Sequence, residues 1–246
     1  MQIIVHGATG RMGRNLRQLI GQNPAHTLAA AVSPQLETNP EKLEFGRLED
    51  FSGPAEILID FSHHTAVGTL LDYARRRRLP VVIGTTGHTP EETDIIAQAA
   101  REIPVFRSGN MSVGIALLIQ LAKQTAKAFP GADIEIVEVH HNQKLDVPSG
   151  TALMLADGIR SVRPEITCNI GRPEGGKRAP EEIGIHSLRM GNVVGIHEVL
   201  VSTGTQTITL KHEAHDRMLF AEGAVAAAEY LLGKPAGLYH MASMLG

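Results

Sequence analysis

The residues best suited to chemistry lie in EVHHNQKLDVPSGTA, Glu138 to Ala152. His140, His141 and Lys144 fall within five consecutive positions, and Ser149-Gly150-Thr151 follows closely. An imidazole, with an unperturbed pKa of about 6.5, suits proton transfer near neutral pH. A lysine can share that task when burial or positive neighbours lower its pKa. Two imidazoles and an ammonium in one cavity would lower one another in this way. IEIVEV, ahead of them, is β-branched and reads as a strand. Asp146 and Pro148 end the approach, and Ser149-Gly150-Thr151 opens a helical run, ALMLADGIRSV. Unpaired N–H groups and the positive end of the helix dipole point back toward the loop, where they suit a carboxylate. The stretch therefore predicts a site that grips a small acid and donates it a proton. On a strict strand, His140 and His141 point to opposite faces, so only one shares the site unless the strand ends between them.

A metal centre is the obvious rival for a chain with twelve histidines. Adjacent histidines on a strand do not converge on one ion, and no second cluster shows ligand spacing with a carboxylate or cysteine, so no metal is expected. A serine nucleophile at Ser149 lacks the G-x-S-x-G elbow. His63, His64, His186 and His197 read as structural histidines.

The second candidate is the loop GATGRMG, Gly7 to Gly13. A short apolar strand, Gln2–His6, leads into it, and a helical pattern with Met12, Leu16, Leu19 and Ile20 on one side follows. Strand, glycine loop and helix form the context of a dinucleotide fingerprint. Gly7 permits the tight turn, Gly10 lets backbone approach a pyrophosphate, and Gly13 lets the helix pack on the strand. The spacing is G-x-x-G-x-x-G, with Thr9 where a second close glycine is common. After the next strand, LAAAV, an NAD site would carry an acid for the ribose hydroxyls; here stand Ser33 and Pro34. That leaves NADPH allowed and NADH not excluded. Arg11 and Arg14 could reach a phosphate or simply be solvated.

The elements that position these loops alternate. EILIDF, LPVVIG and IPVFRS are strands separated by helical runs HTAVGTLLDYARRRR and Pro90–Arg101, which predicts a doubly wound parallel sheet. Residues 34–54 read as a surface loop, and Arg75–Arg78 as a solvated helix end. GTTG after one strand and SGNMS after another lie, like GATGRMG, beyond strand carboxyl ends, where ligands bind in such sheets. VGIALLIQLAKQTAKAF is a long boundary helix. IEIVEVHH, IGIHSLRM, VVGIHEVLVS and TQTITLKHEA then make a β-rich second domain of α+β type on an open mixed sheet. A final helix, about Asp216 to Gly233, has alanines on one face and should pack back on the first domain. The expected division is residues 1–112 with 217–246, and residues 113–216.

Composition narrows the partners. A net charge of -3 argues against nucleic acid or a membrane surface. No apolar run is long enough to span a bilayer, one cysteine forms no internal disulfide, and QIIVH opens a strand rather than a signal; the expectation is a cytoplasmic protein. No tryptophan is present, so no base-stacking platform is offered. An open sheet leaves a face and an edge that oligomerisation could cover.

EVHHNQKLDVPSGTA is similar to the signature E-x-H-H-x-x-K-x-D-A-P-S-G-T-A of the 4-hydroxy-tetrahydrodipicolinate (dihydrodipicolinate) reductases of bacterial diaminopimelate and lysine biosynthesis. GATGRMG, IGTTG, SGNMSVG, SLRMGNVVGIHEV and FAEGAVAAAEYL also resemble family segments, so the likeness spans nearly the whole chain. It implies hydride transfer from NADH or NADPH to a conjugated cyclic imine bearing two carboxylates. On that resemblance, His140 and Lys144 would donate the proton. His141, Lys144, Gly150 and Thr151 would hold the carboxylates. Gly7, Ala8, Thr9, Gly10, Arg11 and Met12 would contact the cofactor, as would Gly84, Thr85 and Thr86, and Ser108, Gly109, Asn110 and Met111. It also implies a homotetramer built through the C-terminal sheet. Departures are Val147 for alanine before Pro148, Ile196 for glutamate before His197, and Ser33-Pro34 at the ribose reader. The alternatives are another nicotinamide-dependent imine or amine dehydrogenase on this scaffold, and a non-catalytic nucleotide sensor, which should have lost Lys144 or the histidines.

Overall fold

The computed structural model describes residues 1–246 and divides into two compact units, Met1–Ser112 with Met218–Gly246, and Val113–Arg217.

The first unit begins β1 (Gln2–His6), α1 (Arg11–Gln22), β2 (Thr27–Val32) and β3 (Glu44–Phe45). It continues β4 (Ile57–Asp60), α2 (Val67–Arg77), β5 (Val81–Ile83), α3 (Pro90–Ala99) and β6 (Pro104–Arg107). Strands β4 and β5 are buried at every position, as a parallel sheet covered on both faces requires. Ile4, Leu58, Val81 and Ile83 face α2 and α3, through Leu70, Leu71 and Ile96. Helix α3 starts where its sequence says it should. Thr89 accepts the Glu92 amide while the Glu92 carboxylate accepts the Thr89 amide, and Pro90 stands at the first helical position.

Residues 34–54 are more than a surface loop. Within them β3 pairs with β2, and Phe45, Leu48 and Phe51 are buried in the core. Few polar residues had to turn inward; three apolar ones at irregular spacing sufficed, and no period announced them. Arg77 also departs from a purely solvated reading. Its guanidinium stacks over Phe51 and Tyr73 and donates to the Gly53 carbonyl.

The second unit comprises α4 (Val113–Ala128), β7 (Asp133–His140), α5 (Gly150–Arg160), β8 (Thr167–Ile170), β9 (Glu182–Arg189), β10 (Gly195–Ser202) and β11 (Thr207–Ala214). Its sheet runs β11-β10-β7-β9-β8, antiparallel at β10 and parallel from β7 to β8. One face packs on α4 and α5 through Ile134, Ile136, Leu155, Ile159, Val199 and Val201. Alternation along β7 and β10 puts Val137, Val139, Ile196 and Leu200 on the other face, where they are only partly buried. Ile196 therefore points away from its neighbour His197, which is buried.

The chain then returns to the first unit with α6 (Met218–Leu231), β12 (Gly237–Tyr239) and α7 (Met241–Leu245). β12 completes a seven-stranded parallel sheet, β12-β6-β5-β4-β1-β2-β3. Ala221, Ala224, Ala227 and Ala228 are fully buried where α6 packs against α1, β5 and β6. A leucine at one of them would overpack the interface at a cost of about 1–3 kcal/mol.

Candidate functional site

In the first unit, Gly7 has φ +79, and a Cβ there would lie 2.4 Å from the Phe61 carbonyl oxygen. At Gly13 a Cβ would lie 2.2 Å from the Gly7 oxygen, so only glycine lets α1 rest on the loop. At Gly10 the nearest atom is 3.3 Å away: the position is not crowded by the protein, and bareness there benefits a ligand. Gly10 caps α1 without a side chain, and the first turn carries no acid, so the amides at this helix start keep their affinity for an anion. These features fit a dinucleotide pyrophosphate.

A cleft of about 420 Å³ opens beside this loop. Gly7, Thr9 and Gly10 line it, together with His6, Ser33, Gln35 and, after β4, Phe61–His63 with Thr65 and Ala66. Ala8 and Met111 are buried, and Arg11 is exposed. Where an acid often reads ribose, Ser33 Oγ donates to Gln35 Oε1 at 2.5 Å and touches Thr9 Oγ1 at 2.7 Å. On the cleft floor, His6 Nδ1 donates to Asp60 at 2.7 Å, and Thr85 Oγ1 donates to the other Asp60 oxygen at 2.6 Å. Gly84 passes the Phe61 ring so closely that a Cβ would stand 2.4 Å from it. In the loop after β6, Ser108 Oγ donates to the Asn110 carbonyl at 2.6 Å, and Asn110 Oδ1 accepts the Ser112 amide at 2.8 Å. Thus Gly84, Thr85 and Thr86, and Ser108, Gly109 and Asn110, sit on neighbouring strand ends of one sheet.

In the second unit, β7 ends at His140 and the chain turns immediately, Lys144 N donating to the His141 carbonyl at 3.1 Å. His140 is 8% exposed, whereas His141, just past the end of β7, is partly buried with Arg217 3.5 Å from its Nε2. Beneath His140 lies Glu138, with no exposed surface. A carboxylate only accepts, so His140 Nδ1–H donates to it, at 2.5 Å. Arg189 grips the same carboxylate with both terminal nitrogens, each at 2.9 Å, and the Ser149 amide donates to it at 3.2 Å. Burial pushes the Glu138 carboxyl up, but its hydrogen bonds, that of Arg189 foremost and that of His140 among the rest, outweigh it and bring it down to about 2.

Burial pushes His140 down, against the pull of Glu138, and Lys144 and Arg189 add to the lowering. Edge-on to it at 5.1 Å stands His197, itself buried and pushed down to about 3, by desolvation first and His140 second. Ser149 caps α5, accepting the Ala152 amide at 3.2 Å, and its hydroxyl is hydrogen-bonded to His197 Nε2, also at 3.2 Å. Lys144 Nζ reaches Asp146 at 2.8 Å, and that ion pair is the main reason the exposed Asp146 carboxyl sits below its usual range. Gly150 and Thr151 form the first turn of α5.

Three residues of this cluster were not flagged from sequence. Glu138 was legible, since it precedes His140 by two on a strand and so shares its face. His197, read as merely structural, stands opposite Glu138 in the register of β10 on β7. Arg189 pairs with His140 across β7 and β9, and nothing in the sequence fixes that register.

The profile of the dihydrodipicolinate reductase N-terminus matches residues 1–111, and that of the C-terminus residues 114–245. The 4-hydroxy-tetrahydrodipicolinate reductase of Caldanaerobacter subterraneus subsp. tengcongensis is 43% identical over 250 residues, covering 100% of this chain and 98% of that one. The enzyme of the same name from Clostridium novyi is 39% identical, covering 98% and 96%. The structure of a dipicolinate-bound dihydrodipicolinate reductase from Paenisporosarcina sp. TG-14 shares the fold with a TM-score of 0.83 at 24% identity, covering 98% and 97%. An amine dehydrogenase from Mycobacterium smegmatis shares it less closely, at 0.65 and 9%, covering 99% and 95%. With both halves matched and full-length relatives near two-fifths identical, the chain belongs to the dihydrodipicolinate reductase family.

Proposed function

We propose that this protein reduces 4-hydroxy-tetrahydrodipicolinate to tetrahydrodipicolinate with NADH or NADPH, a step of diaminopimelate and lysine biosynthesis. The reaction consumes one hydride and one proton and releases the hydroxyl group as water. The bound dinucleotide supplies the hydride. Residues 1–112 with 217–246 bind it: Gly7, Ala8, Thr9, Gly10, Arg11 and Met12 at the pyrophosphate, with Gly84–Thr86 and Ser108–Met111 along the adjoining strand ends. Residues 113–216 bind the substrate. His141, Lys144, Gly150 and Thr151 hold its carboxylates, and His140 and Lys144 deliver the proton to the enamine-like carbon.

The observation that carries this reading is one turn holding three things: a buried imidazole, an ammonium, and the start of a helix. A diacid that must be protonated needs all three. Support for an amine dehydrogenase would have to come from Val147 and Ile196, the two departures from the family signature outside the ribose reader. Ile196 lies on the far face of its sheet from His197, which removes half of that support. Retention of His140, His141 and Lys144 argues against a non-catalytic sensor.

The same open face, with Val137, Val139, Ile196 and Leu200 partly exposed, supports assembly as a homotetramer through the second unit's sheet. No helix is long and apolar enough to cross a membrane, and we place the enzyme in the cytoplasm. The deciding assay is nicotinamide oxidation with the freshly prepared cyclic imine, run with each cofactor beside a panel of amino acids and other imines. Oxidation confined to the dicarboxylate imine is expected. Turnover of the panel without it would overturn the assignment.

A further inference from the structure

We infer that Glu138 is a positioning residue for the reduction: it holds His140 with Nε2 presented for proton transfer, and ties that imidazole to the first turn of α5. The inference rests on the reading of His140 as a proton donor.

Stability does not explain a carboxylate with no exposed surface. A buried ion pair such as Glu138–Arg189 is commonly matched or bettered by apolar residues of the same volume. What the charge does is chemical. It accepts Nδ1–H at 2.5 Å, which fixes the tautomer and leaves Nε2 as the atom that can carry a second proton. It also favours the imidazolium that a donor must become before each turnover. The backbone keeps Nε2 accessible. Gly195 on β10 lies beside it, and a Cβ there would stand 3.1 Å from Nε2. The other Glu138 oxygen accepts the Ser149 amide, so one carboxylate sets both the donor and the helix start that receives the substrate's carboxylate. The charged and titratable groups around His140 are Glu138 on its own strand, Arg189 on β9, His197 on β10 with His212 behind it on β11, and the Lys144–Asp146 pair on the turn. The start of α5 contributes the Ser149 amide to Glu138 and the Ser149 hydroxyl to His197.

The experiment is steady-state kinetics of the full-length enzyme across pH, with dinucleotide affinity measured separately by fluorescence titration. Glu138→Gln should lower kcat about 10²-fold, with KM changed far less. A donor must be protonated, so activity falls on the alkaline side. Without the carboxylate that limb should move to lower pH, while dinucleotide affinity stays unchanged. Glu138→Asp, which keeps the charge, should recover part of kcat and return the limb. Gly195→Ala tests the same geometry without touching a charge: its methyl should depress kcat while the thermal midpoint holds. Wild-type kcat and pH limb in Glu138→Gln overturn the inference. If Glu138→Gln does not fold, wild-type kcat in Gly195→Ala overturns it. His140→Gln separates the two levels: near-native turnover there removes His140 as donor and the underlying reading with it. Loss there beside a normal Glu138→Gln sinks this inference alone.

Discussion

Ser33 Oγ donates to Gln35 Oε1 at 2.5 Å, at the end of β2, where a carboxylate would otherwise bond the ribose hydroxyls. This uncharged pair neither repels a 2′-phosphate nor draws it in. Ser33→Asp should therefore weaken NADPH binding about tenfold or more relative to NADH, because a carboxylate would face the phosphate across the same cleft. Fluorescence titration with each cofactor measures the ratio. An unchanged ratio would show that the ribose lies elsewhere.

Two glycines of one loop should respond differently. A methyl at Gly10 meets nothing closer than 3.3 Å, whereas at Gly13 it would overlap the Gly7 oxygen at 2.2 Å. Gly10→Val should keep the thermal midpoint near wild type yet lose dinucleotide binding, as its branched side chain holds the pyrophosphate off the backbone. Gly13→Ala should lower the midpoint itself. Calorimetry and titration on both variants distinguish these outcomes; a Gly10→Val protein that binds normally would reduce the motif to a turn.

On the proposed roles, Lys144→Ala would remove a proton donor and a carboxylate ligand together while leaving the first unit untouched. We expect kcat/KM to fall by at least about 10²-fold with dinucleotide affinity preserved. Near-native turnover would take Lys144 out of the chemistry.

Stability should fall on the acid side earlier than carboxylates alone would require. Burial holds folded His197 at about 3 against an ordinary 6.5. A group with a depressed folded pKa contributes stability above its unfolded value and loses it as pH falls toward the folded one. His197 therefore weakens the fold from about pH 6.5 downward. Glu138, at about 2 against 4.5, adds to the loss only below about 4.5. Urea midpoints measured from pH 7.5 to 4.5 should decline in the wild type and decline less steeply in His197→Gln, where His140 and His212, also pushed down by burial, still contribute. Parallel curves would mean that His197 is not buried in its neutral form.

Much of this was readable from the sequence, for identifiable reasons. GATGRMG announced itself because three glycines follow an apolar strand and precede a 3.6-residue period. The change from alternating elements to successive strands after α4 marked a change of architecture. What stayed hidden depends on pairing between distant strands. Arg189 reaches Glu138 only because β9 lies parallel to β7 in one particular register, and His197 meets His140 only because β10 runs antiparallel on the other side. Strand β12 is three residues long, too short for any period to show, although it is an edge of the larger sheet. The core positions Phe45, Leu48 and Phe51 were hidden among turn formers for the same reason.

The larger sheet is finished by residues that follow the second unit, α6 against one face and β12 at its edge, whereas residues 113–217 are contiguous. During synthesis the ribosome therefore releases everything the middle unit needs before it releases what closes the first. A nascent chain that has emerged as far as Arg217 would carry one completed core and a parallel sheet whose alanine-rich cover has yet to emerge. Order of translation and order of completion differ in this protein: a sheet begun ahead of the middle unit waits for a helix made after it.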